Sequence, residues 1–234
     1  MSTRLVCAWL GSFLLMTFSA SSQTVAKTYT LGMIGKSQGN AFFEAAHAGA
    51  NDAARDLGAK YHLKIQIDWR TPNEEDAQRQ AEFIEQLLLS GVDGIIISCS
   101  DANKVNDAIN KAVEQGVPVA TFSGDAAASR RFVALGIDDF KCGERTFEEL
   151  AKFLKGTGVV AAIDGNPNAE NLQKRAAGFR AAAKKYPGIK LLDVYYHKET
   201  AQDAVAKIEQ VMQANPDVTG WGFLAAGRCS RTTR

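Results

Sequence analysis

Cysteine and histidine are scarce in this chain, and neither sign of charge prevails. Of four cysteines, Cys7 lies in the first apolar stretch. The other three, Cys99, Cys142 and Cys229, stand at wide, unpatterned spacings. An odd count so placed argues against a disulfide framework, and the lack of a CxxC or Cys/His cluster argues against a metal centre. A Cys99–Cys142 bridge stays open, because sequence is silent on their separation. Lysine and arginine number 27 against 26 aspartate and glutamate, so nothing points to nucleic acid or to an anionic membrane. There is no GxSxG elbow and no phosphate-cradling GxxxxGK, and Gly32-Met33-Ile34-Gly35 followed by Gly39 does not match GxGxxG. His47, His62 and His197 fall outside any cluster. No catalytic constellation, cofactor or metal is expected.

Long apolar runs are missing too, with one exception. Arg4 precedes an apolar stretch from Leu5 to Phe18, and small polar residues follow. The run is too short to span a bilayer comfortably, for which about 20 residues are wanted. Ala20 and Ser22 have the spacing that signal peptidases read, which predicts a leader over residues 1–22, cleaved before Gln23. Cys7 is far from that point, which argues against a lipid-modified cysteine. The chain is therefore expected to work outside the cytoplasm, in the periplasm.

What the sequence does contain is a regular alternation. Apolar strands are predicted at Thr30–Gly35, Leu63–Trp69, Gly94–Ser98, Val117–Phe122, Phe132–Leu135, Val159–Ile163, Ile189–Tyr195 and Gly220–Leu224. Between them lie helical stripes. The first carries Phe42, Ala46, Ala53 and Leu57, with Gly58 read as its stop. The second is read as opening at Pro72-Asn73 and ending at Gly91, and the third ends at Gly116. Helices are also predicted around Cys142–Leu154 and over Glu170–Tyr186 and Ala201–Ala214. The unbroken Ile95-Ile96-Ile97 is the pattern of a strand buried on both faces. Such alternation predicts an α/β fold of doubly wound parallel sheets.

In open parallel sheets, ligands bind beyond the carboxyl ends of the strands. Those positions hold Lys36, Asn40, Phe42 and Phe43 after the first strand and Asp101 after the third. Ser123 and Asp125 follow the fourth, and Asn171 and Arg175 follow the sixth. Carboxylates, amides and cations suit a polyhydroxylated ligand, and an aromatic face suits a sugar ring. Taken singly, each Asp, Asn or Ser also suits a helix cap, and Phe42 and Phe43 suit a core. The case for a site rests on their convergence at one edge.

These residues resemble the periplasmic sugar-binding proteins of the ribose/galactose type, which share their ligand domain with lactose-repressor-type regulators. Asn40-Ala41-Phe42-Phe43 is similar to that family's Asn-Pro-Phe-Phe. Gly91-Val92-Asp93-Gly94-Ile95-Ile96-Ile97-Ser98 with Asp101 resembles its third strand and loop. Gly116-Val117-Pro118-Val119 resembles its fourth strand entry, and Ala169-Glu170-Asn171-Leu172 with Arg175, Gly178 and Phe179 its second ligand wall. The resemblance implies two clamshell lobes, over residues 23–136 and 137–224, crossing first near Ile137-Asp138. It implies a sugar-like small molecule as ligand and an ABC importer permease as partner. The receptor would be a monomer that meets the membrane only through that permease. Where ribose-type members carry Asp-Arg after the fourth strand, this chain has Ser123-Gly124-Asp125, which departs from a ribose site.

Residues 225–234 break the pattern: the tail is basic, lacks periodicity and carries Cys229. Family members continue with further strand–helix units, so the second lobe is expected to be incomplete and binding weakened. A back-translation of Gly227 onward, read two bases along, gives Pro-Leu-Phe-Thr-Asp-Asp-Ala, which suggests a shifted frame. Competing functions are an extracytoplasmic α/β enzyme on a small polar substrate and a non-functional remnant. A transcription regulator would need a helix-turn-helix where the leader stands.

Overall fold

The computed structural model describes residues 27–225. The leader with its cleavage point, and the tail from residue 226 with Cys229, lie outside the described residues.

The chain alternates strand and helix from its first element. In order these are β1 (Thr28–Ile34), α1 (Ala41–Tyr61), β2 (Lys64–Trp69), α2 (Ala77–Leu89), β3 (Gly94–Ile97), α3 (Ala102–Glu114) and β4 (Val119–Phe122). There follow β5 (Val133–Leu135), α4 (Asp139–Phe153), β6 (Gly158–Asp164), α5 (Glu170–Ala183), β7 (Ile189–Tyr196), α6 (Ala201–Ala214) and β8 (Gly220–Phe223). They build two parallel sheets, ordered β2-β1-β3-β4-β5 and β7-β6-β8. Among the described residues the chain passes between the two lobes once, through Gly136, Ile137 and Asp138.

The first lobe owes its core to the isoleucine run. Ile95 and Ile97 are buried with Ile84 and Leu87 of α2 and Val105, Ile109 and Ala112 of α3. Ile96 points to the opposite face. That face is covered at one side by α1, which packs on β2. At the other side Ala120 and Phe122 of β4 are in register with Val133 and Leu135 of β5. Parallel register puts all four on one face, and there Val133 is 46% and Leu135 76% exposed.

Several boundaries differ from the sequence reading: β1 runs Thr28–Ile34, β4 begins at Val119 and α5 ends at Ala183, and two further differences bear on the site. Helix α1 runs through Gly58 and stops at His62, which adopts the left-handed conformation and donates its N–H to the Gly58 carbonyl. Gly58 serves packing instead, since a Cβ there would lie 2.8 Å from the Leu63 oxygen. Helix α2 begins after Asp76, whose carboxylate accepts from the Arg79 N–H at 3.0 Å. Pro72 and Asn73 belong to the preceding loop, and that loop reaches the cleft.

The second lobe is held by α4 against α5. Gly143 and Gly178 let the two backbones touch; a side chain at either would overlap a carbonyl of the other helix. Beneath them Phe147 and Phe179 are fully buried, edge to face at 4.9 Å. Cys99 and Cys142 are free thiols, so the open bridge is not made. No described helix is long and apolar enough to cross a membrane.

Candidate functional site

The strand ends of the two lobes face one another across a cleft. Seven of the nine residues singled out from the sequence line one cavity of ≈ 50 Å³: Lys36, Asn40, Phe42, Phe43, Ser123, Asn171 and Arg175. Leu172, Glu199 and Ala225 complete it.

From the first lobe, β1 delivers Lys36 to the cleft almost fully buried, 3% exposed. Its ammonium lies 3.5 Å from Asn171 Oδ1 and 3.8 Å from Glu75 Oε1. Asn40 caps α1, accepting from the Phe42 N–H at 3.1 Å, so its amide still has polar capacity for a ligand. Phe42 is 42% exposed, whereas Phe43 is 4% exposed and meets Phe42 and Phe122 edge to face at 5.1 and 6.3 Å. The two rings therefore divide the roles weighed for them: Phe43 is core, and Phe42 presents a surface. Ser123 follows β4 in the left-handed region with φ 59°. A non-glycine residue there is held by its surroundings, here by its N–H on the Leu135 carbonyl at 2.9 Å.

From the second lobe, Asn171 and Arg175 sit on the first turns of α5. Arg175 is already engaged, its Nε donating to Asp139 at 2.8 Å and Nη1 to the Leu224 carbonyl at 2.9 Å. It ties the start of α4 to the end of β8 while lining the cavity.

Asp101 and Asp125 are not brought to the cavity. Asp101 caps α3, accepting from the Asn103 N–H at 2.9 Å. Asp125 is turned toward Arg131, which grips both carboxylate oxygens, and it also accepts from Thr121 Oγ1 and the Ala126 N–H. The Arg131 hydrogen bonds hold its carboxyl down at about 2. Spacing after a strand could not distinguish these tethered carboxylates from a ligand-facing one.

Three polar residues in or behind the cleft were not singled out from the sequence, and of these Glu199 lines the cavity. Gln80 is fully buried on α2; its amide donates to the Gly35 and Ser98 carbonyls, each at 2.8 Å, and accepts from the Ser100 N–H at 2.9 Å. It pins the ends of β1 and β3 together. A polar residue in step with Ile84 and Leu87 on the buried face was the available signal. Glu75 accepts from Asn166 Nδ2 at 3.0 Å. Burial pushes its carboxyl up, against the pull of Lys36 and with a push from Glu199. Glu199 accepts from the Asn166 N–H at 3.2 Å and is oriented by its own N–H on His197 Nδ1 at 2.9 Å. His197 is thus buried beneath the site, with burial pushing its pKa down.

Behind them, Asp164 at the end of β6 is fully buried. Its Oδ1 accepts from the Gly165 N–H at 2.9 Å, and Oδ2 has no partner. Burial pushes its carboxyl up to about 7. Among the described residues no group of His, Cys, Asp and Glu is placed to hold a metal ion.

This two-lobed fold and its strand-end cleft have relatives. A periplasmic binding protein domain matches residues 31–229, and the chain belongs to that family. It is 26% identical over 195 residues to the ribose import binding protein RbsB of Bacillus subtilis, covering 82% of this chain and 60% of the relative. It is 23% identical over 213 residues to the D-apiose import binding protein of Actinobacillus succinogenes, covering 90% and 66%. Among solved structures it resembles an ABC transporter solute binding protein from Burkholderia graminis in complex with D-arabinose. There the TM-score is 0.79 at 29% identity, over 86% of this chain and 67% of the other. It also resembles AraP, an arabinose binding protein from Geobacillus stearothermophilus, with TM-score 0.67 at 30% identity, over 83% and 65%. The chain spans about three fifths of the length of the Bacillus relative.

Proposed function

We propose that this protein is a non-catalytic solute receptor that takes a neutral sugar or sugar-like molecule between its lobes, 23–136 and 137–224, and presents it to an ABC importer permease. The observation that carries the reading is a cavity lined by strand-end groups of both lobes, with Asn40 and Phe42 on one wall and Asn171 and Arg175 on the other. Relatives named for import of ribose and of apiose support it. Ligand hydroxyls would bond the Asn40 and Asn171 amides and the Lys36 ammonium, and the exposed Phe42 ring would meet the C–H face. Ser123 and the tethered Asp125 replace the acid–arginine pair of ribose-type members, which favours a different pentose or polyol. Receptor and permease would meet in the periplasm, after removal of a leader ending at Ser22; the receptor would be monomeric and would not bind nucleic acid. N-terminal sequencing of exported protein should begin at Gln23, and full-length chain held in the inner membrane would contradict export.

Titration of the exported protein with D-arabinose, D-apiose and xylitol, followed by Trp69 and Trp221 emission and by calorimetry, tests the function. Saturable binding of one of them with no chemical change in the sugar is the expected result. Turnover, or heat and emission unchanged by all three with a folded protein, would overturn it.

A further inference from the structure

The two lobes meet through a small polar cluster. Among the described residues, three hydrogen bonds join them, Lys36 Nζ to Asn171 Oδ1 at 3.5 Å, and Asn166 Nδ2 to Glu75 Oε1 at 3.0 Å and to the Ser100 carbonyl at 3.3 Å. The first-lobe partners are charged and nearly buried, Lys36 with 3% and Glu75 with 10% of the side chain exposed, and they lie 3.8 Å apart. The second-lobe partners are neutral amides on a preset frame. Asn166 is fixed from both sides, its N–H on Glu199 at 3.2 Å and its Oδ1 accepting from the Asn168 N–H at 2.9 Å. A Cβ on Gly165 beside it would displace the Glu199 carboxylate from this position.

We propose that Glu75 and Lys36 on one lobe, with Asn166 and Asn171 on the other, form a latch that draws the lobes together independently of ligand. Lys36 and Asn171 also line the cleft cavity. All three bonds join groups of the protein directly, so the contacts that set this spacing are its own. Both bridges pair a charge with an amide, the charge-assisted kind that survives burial. Parting the lobes would return Lys36 and Glu75 to water, which offsets much of what the bonds contribute. The latch is accordingly one that a ligand can open. The Lys36–Asn171 bond, the longest of the three, is the one that ligand hydroxyls would replace. The latch rests on the two-lobed receptor reading only for that consequence, since lobe separation is measured with no sugar present.

The test is Asn166→Asp in the full exported chain, followed by small-angle scattering and amide hydrogen exchange. Aspartate keeps the acceptor for the Asn168 N–H and removes the donor to Glu75 and to the Ser100 carbonyl, placing carboxylate against carboxylate. At pH 8 the radius of gyration should rise, and exchange over Gly165–Ala169 should quicken roughly tenfold, the scale of one hydrogen bond to a charged group. At pH 4.5 a proton shared between the introduced carboxylate and Glu75 should bring both readouts back toward those of the unaltered chain, which a general folding defect would not do. Asn166→Ala should open the lobes at both pH values. An Asn166→Asp protein that matches the unaltered chain in both readouts at pH 8 overturns the latch, as does an Asn166→Ala protein that does so. Either outcome would leave the sugar-receptor reading standing.

Discussion

Replacing Asp164 with asparagine should stabilise this protein, and by an amount that grows with pH. The folded structure buries the carboxyl completely and raises its pKa from 3.8 to about 7. A raised acid is a group the folded state prefers protonated. Its penalty is absent below the unfolded value, grows as pH rises, and is complete above the folded value. At 1.36 kcal/mol per unit, the full penalty is about 4 kcal/mol, of which roughly 1.5 kcal/mol is already present at pH 5. Asparagine never ionises, and its Oδ1 can still accept from the Gly165 N–H, as Asp164 does at 2.9 Å. Asp164→Asn should therefore gain about 2–3 kcal/mol more at pH 8 than at pH 5. For a chain of this size that difference is about 5–10 °C in Tm. Urea and thermal unfolding by circular dichroism at the two pH values measure it. A gain equal at both, or a loss that deepens at pH 8, would refute the burial argument.

The aromatic pair should separate on mutation. Phe43→Ala should remove about 3–5 kcal/mol of fold stability as a core truncation, while Phe42→Ala leaves melting nearly unchanged and weakens sugar affinity by about 1–3 kcal/mol, as calorimetry would read. Gln80→Ala orphans the Gly35 and Ser98 carbonyls and the Ser100 N–H; at about 1–3 kcal/mol for each buried group, urea unfolding should show a loss of about 3 kcal/mol or more. Cys99 is buried and its thiol is pushed up to about 12. Alkylation mapped by peptide mass spectrometry should thus spare it in folded protein at pH 8 while the half-buried Cys142 reacts, and equal labelling would contradict that burial.

Much of the architecture was legible because it is periodic. Ile95-Ile96-Ile97 announced a strand covered on both faces, and the bounds of α6 follow from its apolar spacing. The end of α1 was not legible, because the left-handed stop falls on His62 and a glycine lies conveniently inside the helix. The strand-end rule located Lys36, Asn40, Asn171 and Arg175, since topology alone carries those positions to the cleft. It also selected Asp101 and Asp125, whose side chains are satisfied within their own lobe. Glu75, Asn166 and Glu199 escaped as a cluster because they look like ordinary polar loop residues. Glu75 and Asn166 meet only where one lobe docks on the other, over a separation of 91 residues, and Asn166 and Glu199 meet within the second lobe over 33 residues.

The lone passage between the described lobes, Gly136-Ile137-Asp138, has a mechanical meaning. Fully extended it spans only about 10 Å, so neither lobe can drift far, and each sees the other at an effective concentration on the order of millimolar. Weak surface contacts then suffice for docking. A lone strap of this kind is a swivel: it permits torsion as readily as bending and selects no direction of approach. Over residues 27–225 the strap selects no angle, so there the angle between the lobes is set by the few amides and charges that touch across the cleft.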